Sequence, residues 1–137
     1  MAGITDLPVL LATMEPALAD GEFVYCTVPA SRLDDYLHLR PLGLFHETEG
    51  LTLILPLETA QKAGLQASPP LRQITLTVHS SLEAVGLTAA FSRALTEAGI
   101  SANVVAAYYH DHIFVPAADA ERAIEVLRQL SAANRKS

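Results

Sequence analysis

A chain of 137 residues with nine basic and fifteen acidic side chains has a formal net charge of −6. That balance repels a phosphate backbone and excludes nucleic acid as a natural partner. Half the residues are apolar and only 18% are charged, below the roughly 25% usual for a soluble domain, so some surface is expected to lie against another subunit.

The length suits one domain, or two very small ones sharing a core. Cys26 is the only cysteine, so no internal disulfide can form. The opening Met1–Asp6 has no basic n-region followed by an apolar stretch, and no apolar run approaches the ~20 residues of a membrane span. A cytoplasmic protein without a membrane segment is expected.

Taken in chain order, Leu7 to Leu18 has helical periodicity and stops before Ala19-Asp20-Gly21. Glu22 to Val28 is rich in β-branched and aromatic residues and reads as a buried strand ended by Pro29. Ser31 can cap a short helix to Leu39, with Asp34 and Asp35 favourably placed in its first turn. Leu42–His46 and Leu51–Leu55 flank Glu47-Thr48-Glu49-Gly50, a hairpin whose glycine can take φ > 0. Leu57–Ala63 then predicts a helix terminated by Gly64.

Prolines at 69 and 70 enforce an extended path, and residues 67–70 are the natural linker between halves 1–66 and 71–133. Leu71–His79 alternates strictly, with Ile74, Leu76 and Val78 on one face and Thr75, Thr77 and His79 on the other. Ser80 and Glu83 have capping-box spacing, which predicts a helix from there to Ala98 that Gly99 closes. Ala102–Tyr109 and Ile113–Val115 predict a second hairpin around a polar tip, His110-Asp111-His112. A last helix begins at Asp119, with Ala123, Val126, Leu127 and Leu130 inward, and Asn134–Ser137 frays.

Each half thus reads strand, helix, two hairpin strands, helix. The expected fold class is α+β, ferredoxin-like, with antiparallel strands on one side and helices on the other. The second half lacks a strand after its last helix, so either its own long strand or the N-terminal half is expected to fill that edge.

The stretch Ile74 to Phe91, continued by Leu95 to Val105, resembles the ACT domain, the amino-acid-sensing module of aspartate kinases and related enzymes. Tyr108-Tyr109-His110-Asp111-His112-Ile113-Phe114-Val115-Pro116 is similar to a small stand-alone bacterial group of ACT-like proteins, in which the N-terminal half is a second, diverged copy. The resemblance implies a regulatory protein without catalysis, binding an amino acid or similar small anion beside the loop His79 to Gly86. It also implies a subunit or domain interface near that loop and a regulated enzyme as partner.

The physical reading of that loop is compatible. Free N–H groups at a helix start, with the positive end of the dipole, hold a carboxylate without a charged side chain. The candidate ligand residues are His79, Ser80, Ser81, Leu82, Val85, Gly86, Asn103 and Tyr109. Ser80, Ser81 and Glu83 are equally explained as helix caps, and Gly86 by close packing or by ligand access. Asn103 needs a hydrogen-bond partner, either a ligand or a neighbouring backbone. Tyr108 and Tyr109 are expected on opposite strand faces, so one at most lines a given pocket.

His110, Asp111 and His112 would need further ligands to hold zinc, and a polar tip explains them without one. Glu47 and Glu49 sit in a turn, where no apolar pocket raises a carboxyl pKa for acid–base work. Cys26 lies in an apolar strand, where a thiol is packing. No catalytic residue, metal or cofactor is expected, and a homodimer is. The alternative reading is a protein–protein interaction or oligomerisation module with no ligand; an enzyme using the His110–His112 tip is a third.

Overall fold

The protein is described by a computed structural model at residues 6–78 and 84–135. Its elements in chain order are α1 (Leu7–Thr13), β1 (Pro16–Leu18), β2 (Phe23–Val28), α2 (Leu33–Tyr36), β3 (Gly43–His46), β4 (Leu51–Pro56), α3 (Leu57–Lys62), β5 (Leu71–Leu76), α4 (Leu87–Glu97), β6 (Asn103–Ala106), β7 (Asp111–Pro116) and α5 (Ala120–Arg135). None of the described helices is long and apolar enough to cross a membrane.

The chain packs as two units, an inner one of residues 21–71 and an outer one that joins residues 1–20 to 72–137. The linker expected at 67–70 divides the chain by sequence order, whereas packing places the first twenty residues with the C-terminal half. Each unit is an α+β, ferredoxin-like arrangement of antiparallel strands with helices on one face.

In the outer unit the strand order is β1-β5-β7-β6. The edge left open after α5 is filled by Pro16–Leu18, which pair antiparallel with Leu76–Ile74. Hydrogen bonds from Thr77 N to Glu15 O and from Ala19 N to Gln73 O extend that pairing at both ends. The first helix therefore ends at Thr13 rather than Leu18. Pro16 cannot donate to a helical ladder and pushes Glu15 towards an extended conformation, and the chain is already extended at Met14 (ψ 139°).

α1 is then held against α5. The buried Ser131 hydroxyl donates to Ala12 O and Met14 O, each at 3.2 Å, and Arg135 Nε donates to Ala12 O at 3.0 Å. Leu10, Met14, Ile74, Leu76, Phe91, Leu95, Ile113, Val115 and Leu127 form a core with zero or near-zero exposure. In α4 the buried residues Leu87, Phe91 and Leu95 recur every four positions, the stripe that faces a sheet. Gly99 (φ +75°) and the bond from Ile100 N to Leu95 O close the helix as expected.

In the inner unit the strand order is β3-β4-β2, with Leu71 paired to Phe23 on the far side. Val24, Cys26, Val28, Leu51, Leu53 and Leu55 form its core with Ala60 of α3. Burial raises the Cys26 thiol pKa, which keeps it in the inert thiol form.

The predicted helix from Ser31 to Leu39 is reduced to α2 between two 3-10 turns, Ala30–Arg32 and Leu37–Leu39, without a side-chain cap. The hairpin glycine serves differently from expectation. Gly50 is not among the positive-φ residues; a Cβ there would lie 3.0 Å from Val28 O, so close backbone approach selects it.

Candidate functional site

α4 begins later than its sequence suggested. The capping-box residues Ser80 and Glu83, with His79, Ser81 and Leu82, lie outside the described residues. Residues 84–86 are not helical, and Gly86 stands at the N-cap with φ +99°. A right-handed helix cannot run through a left-handed residue, so the helix starts at Leu87. A Cβ on Gly86 would also lie 2.9 Å from Leu7 Cδ2, which assigns this glycine to backbone conformation and close packing together.

The helical ladder opens with the bond from Ala90 N to Gly86 O at 2.9 Å. The N–H groups of Leu87, Thr88 and Ala89 precede it, and Gly86 has no side chain to cap them. Eleven residues of aligned peptide dipoles end there, so this end of the outer unit attracts an anion. Val85 beside it is 83% exposed.

The second hairpin differs from the sequence reading. Ala107 N donates to His110 O, so the turn is Ala107–His110, and Asp111 and His112 belong to β7. β6 pairs residue for residue with β7, from Asn103↔Phe114 to Ala106↔Asp111. That register places Tyr108 and Tyr109 in the turn rather than on opposite faces of a strand. Their rings meet edge-on at 4.9 Å between centroids, and they are 64% and 62% exposed.

His110 Nδ1 lies 3.2 Å from Val78 O; since a carbonyl only accepts, Nδ1 carries the proton. This contact brings the turn to the end of β5 from which the chain leaves towards Gly86. Asn103 begins β6, four residues or about 13 Å from the start of the turn, and its amide donates to Phe114 O at 3.2 Å. Its partner is the neighbouring backbone.

Asp111 and His112 point to opposite faces of β7. His112 Nδ1 lies 2.9 Å from Thr75 Oγ1 and 3.2 Å from the Gln73 amide nitrogen. The amide can only donate, so Nδ1 accepts and the ring proton sits on Nε2. Burial lowers the His112 pKa, the neighbouring His110 lowers it further, and Asp111 opposes both. Gln73, only 8% exposed, is a member of this cluster that sequence reasoning missed.

Asp111 shares the face of Ile113 and Val115, which pack beneath α4 with Leu87 and Phe91. It is 8% exposed, and burial raises its carboxyl pKa against the lowering effect of His112 and His110. Among the described residues no group of three or more His, Cys, Asp or Glu could hold a metal ion.

These features define a class: two small α+β units of the ferredoxin-like kind, one with a long helix entered through a left-handed glycine. The family follows from sequence comparison. The ACT domain matches residues 2–72 and again residues 69–129, and the chain belongs to the ACT domain family. No curated protein matches it.

Among solved structures, a Vibrio cholerae protein described as of unknown function and a possible transport protein is 54% identical. Its TM-score is 0.84, with 91% of this chain and 95% of that chain covered. The ligand-free regulatory subunit of aspartate kinase from Thermus thermophilus is 13% identical with a TM-score of 0.68, covering 88% and 97% of the two chains. A protein from Agrobacterium tumefaciens is 14% identical with a TM-score of 0.69, covering 86% and 89%. At these last two identities the likeness is one of fold.

Proposed function

We propose that this is a regulatory ACT protein that binds an amino acid or similar small anion at the start of α4 and has no catalysis of its own. The single observation that carries the reading is that helix start. It is entered through a left-handed glycine, and the amides of Leu87, Thr88 and Ala89 lie ahead of the helical ladder. The ACT matches over residues 2–72 and 69–129 support it, because they assign nearly the whole chain to this kind of module. The fold shared with aspartate kinase regulatory subunits supports a regulatory role.

In this reading His79, Ser80, Ser81 and Leu82 join Val85, Gly86 and Tyr109 around the ligand. The protein works in the cytoplasm as a homodimer and needs no cofactor. Ligand binding favours one of two arrangements of an interface with a regulated enzyme, by its difference in affinity for them.

The test is thermal unfolding against the twenty amino acids, with wild type and Val85→Asp side by side. At about 100 times its dissociation constant a ligand stabilises by ~2.7 kcal/mol, a shift of several degrees at this size. One amino acid is expected to produce that shift. Val85→Asp, at an exposed position, keeps the ligand-free midpoint and loses the shift, because it places a negative charge where the carboxylate binds. A wild type that responds to none of the twenty sinks the reading.

The exposed Val85, Tyr108 and Tyr109 favour a second reading, an interaction module without a ligand. A midpoint that rises with protein concentration, and with no amino acid, would select it.

A further inference from the structure

The first twenty residues belong to a unit whose other members begin at residue 72, and within them α1 and β1 are joined without slack. Only Met14 and Glu15 lie between Thr13 and Pro16. Met14 has zero exposure and its N–H donates to Leu10 O. Glu15 O accepts twice, from Thr77 N at 2.9 Å and from the Thr77 hydroxyl at 2.8 Å. Neither residue can absorb a displacement of one element against the other in so closely packed a core, so helix and strand move together.

Each end of this segment is seated on a different part of the unit. At the N-terminal end Leu7 packs against the core and lies so close to Gly86 that a Cβ there would stand 2.9 Å from Leu7 Cδ2. Gly86 O in turn accepts from Ala90 N, the opening rung of α4. At the C-terminal end Ala19 N donates to Gln73 O at 2.9 Å, and Arg72 Nη2 donates to Ala19 O at 3.0 Å. Between them, Ser131 and Arg135 near the end of α5 hold the carbonyls of Ala12 and Met14. The seven residues of α1 span about 10 Å.

β1 and β6 are the two ends of the outer unit's strand order. β6 is tied to its neighbour by a hairpin turn, whereas β1 pairs with β5 through three residues only. So short a strand has little stability of its own. Its pairing depends on how α1 is seated, and the seat of α1 includes Leu7 on Gly86.

We infer that α1 and β1 form one strap that couples the start of α4 to the β1 edge of the sheet. A shift of Gly86 unseats Leu7, and because Met14 and Glu15 give no slack, the bonds from Thr77 to Glu15 and from Ala19 to Gln73 open with it. The edge of β5 thus becomes a second surface whose exposure follows the state of the helix start. This coupling is built into the fold and holds whatever occupies that start. It runs in both directions, as coupling between two sites must.

Hydrogen exchange followed by NMR tests the strap on the full chain without any ligand. Leu7→Ala removes the contact with Gly86, and the amides of Ala19 and Thr77, each bonded across the edge, are expected to exchange about tenfold faster than in wild type. The Ile100 amide, bonded to Leu95 O just beyond the far end of α4, reads general loosening of the unit and is expected to change little. Ser131→Ala releases the strap from α5. There the Ala90 amide is expected to quicken, again relative to Ile100.

Faster exchange within α1 alone, with Ala19 and Thr77 as in wild type, overturns the inference. So does an acceleration that Ile100 shares equally. An unchanged Ala90 amide in Ser131→Ala overturns it from the other direction, and that measurement decides alone where Leu7→Ala does not fold.

Discussion

The two units share one plan and differ in the segment that follows β5 in the outer unit and β2 in the inner one. In the outer unit that segment becomes an eleven-residue helix burying Leu87, Phe91 and Leu95. In the inner unit, Ala30 to Leu39 makes only four α-helical residues between two 3-10 turns, and none of its residues is buried. Within it Arg32 pairs with Asp35 at 2.9 Å and lies 5.8 Å from the centre of the Tyr36 ring. A helix of one turn has little dipole and few aligned amides to offer. One copy of the plan has kept the element from which a ligand site can be built, and the other has kept mainly its strands.

The largest expected effect tests whether that difference is energetic as well as geometric. Phe91→Ala empties a position of zero exposure and should destabilise by about 3–5 kcal/mol. Leu37→Ala, in the inner unit at 49% exposure, should cost about 1 kcal/mol or less. Urea unfolding followed by circular dichroism measures both. Similar losses would mean that the inner segment is as much a core helix as α4, and the contrast would fail.

Gly86→Ala comes next and sharpens the comparison at the helix start. A side chain held in left-handed backbone costs about 1–3 kcal/mol, and the new Cβ must also displace Leu7 Cδ2 from 2.9 Å. Adding Leu7→Ala should recover the steric part only. Full recovery in the double variant would show that the backbone conformation contributes nothing. Because this glycine matters to the fold, its variants are poor probes of ligand binding, and the exposed Val85 serves that purpose instead.

Strand faces were legible from the sequence wherever one face is buried. The alternation of Ile74, Leu76 and Val78 fixes which side of β5 meets the helices, and all three are buried. Turn positions were less legible. Placing strands at 102–109 and 113–115 paired eight residues with three, and a ladder needs equal lengths; the observed pairing of Asn103–Ala106 with Asp111–Phe114 restores that equality. The same shift moves Asp111 from a solvated tip into a buried strand, which is why its burial was not foreseen. The N-terminal segment was obscure for another reason. Pro16 was visible within a helical pattern, but the edge that Pro16–Leu18 fill belongs to residues more than fifty positions away, and local periodicity contains no such information.

The smallest effect concerns the His112 cluster and has no counterpart in the inner unit. Burial holds the folded-state pKa of His112 below its ordinary value of 6.5, so the unfolded chain binds a proton at His112 more readily than the native one. The stability this confers is fully present above pH 6.5 and is lost as pH falls from there towards the depressed native value. Asp111 works in the opposite sense. Its pKa is raised above 3.8, so acidification relieves the buried charge and offsets part of the loss at lower pH. In His112→Asn an amide oxygen replaces Nδ1 as acceptor for Thr75 and Gln73 and cannot titrate. Its unfolding free energy should therefore fall less than that of wild type between pH 7 and pH 5, in urea titrations at fixed ionic strength. Asp111→Asn should instead gain stability at neutral pH, an advantage that shrinks on acidification. Parallel pH profiles for wild type and His112→Asn would mean that this imidazole is as free to protonate as in the unfolded chain, and the cluster with Gln73 and Thr75 would then not constrain it.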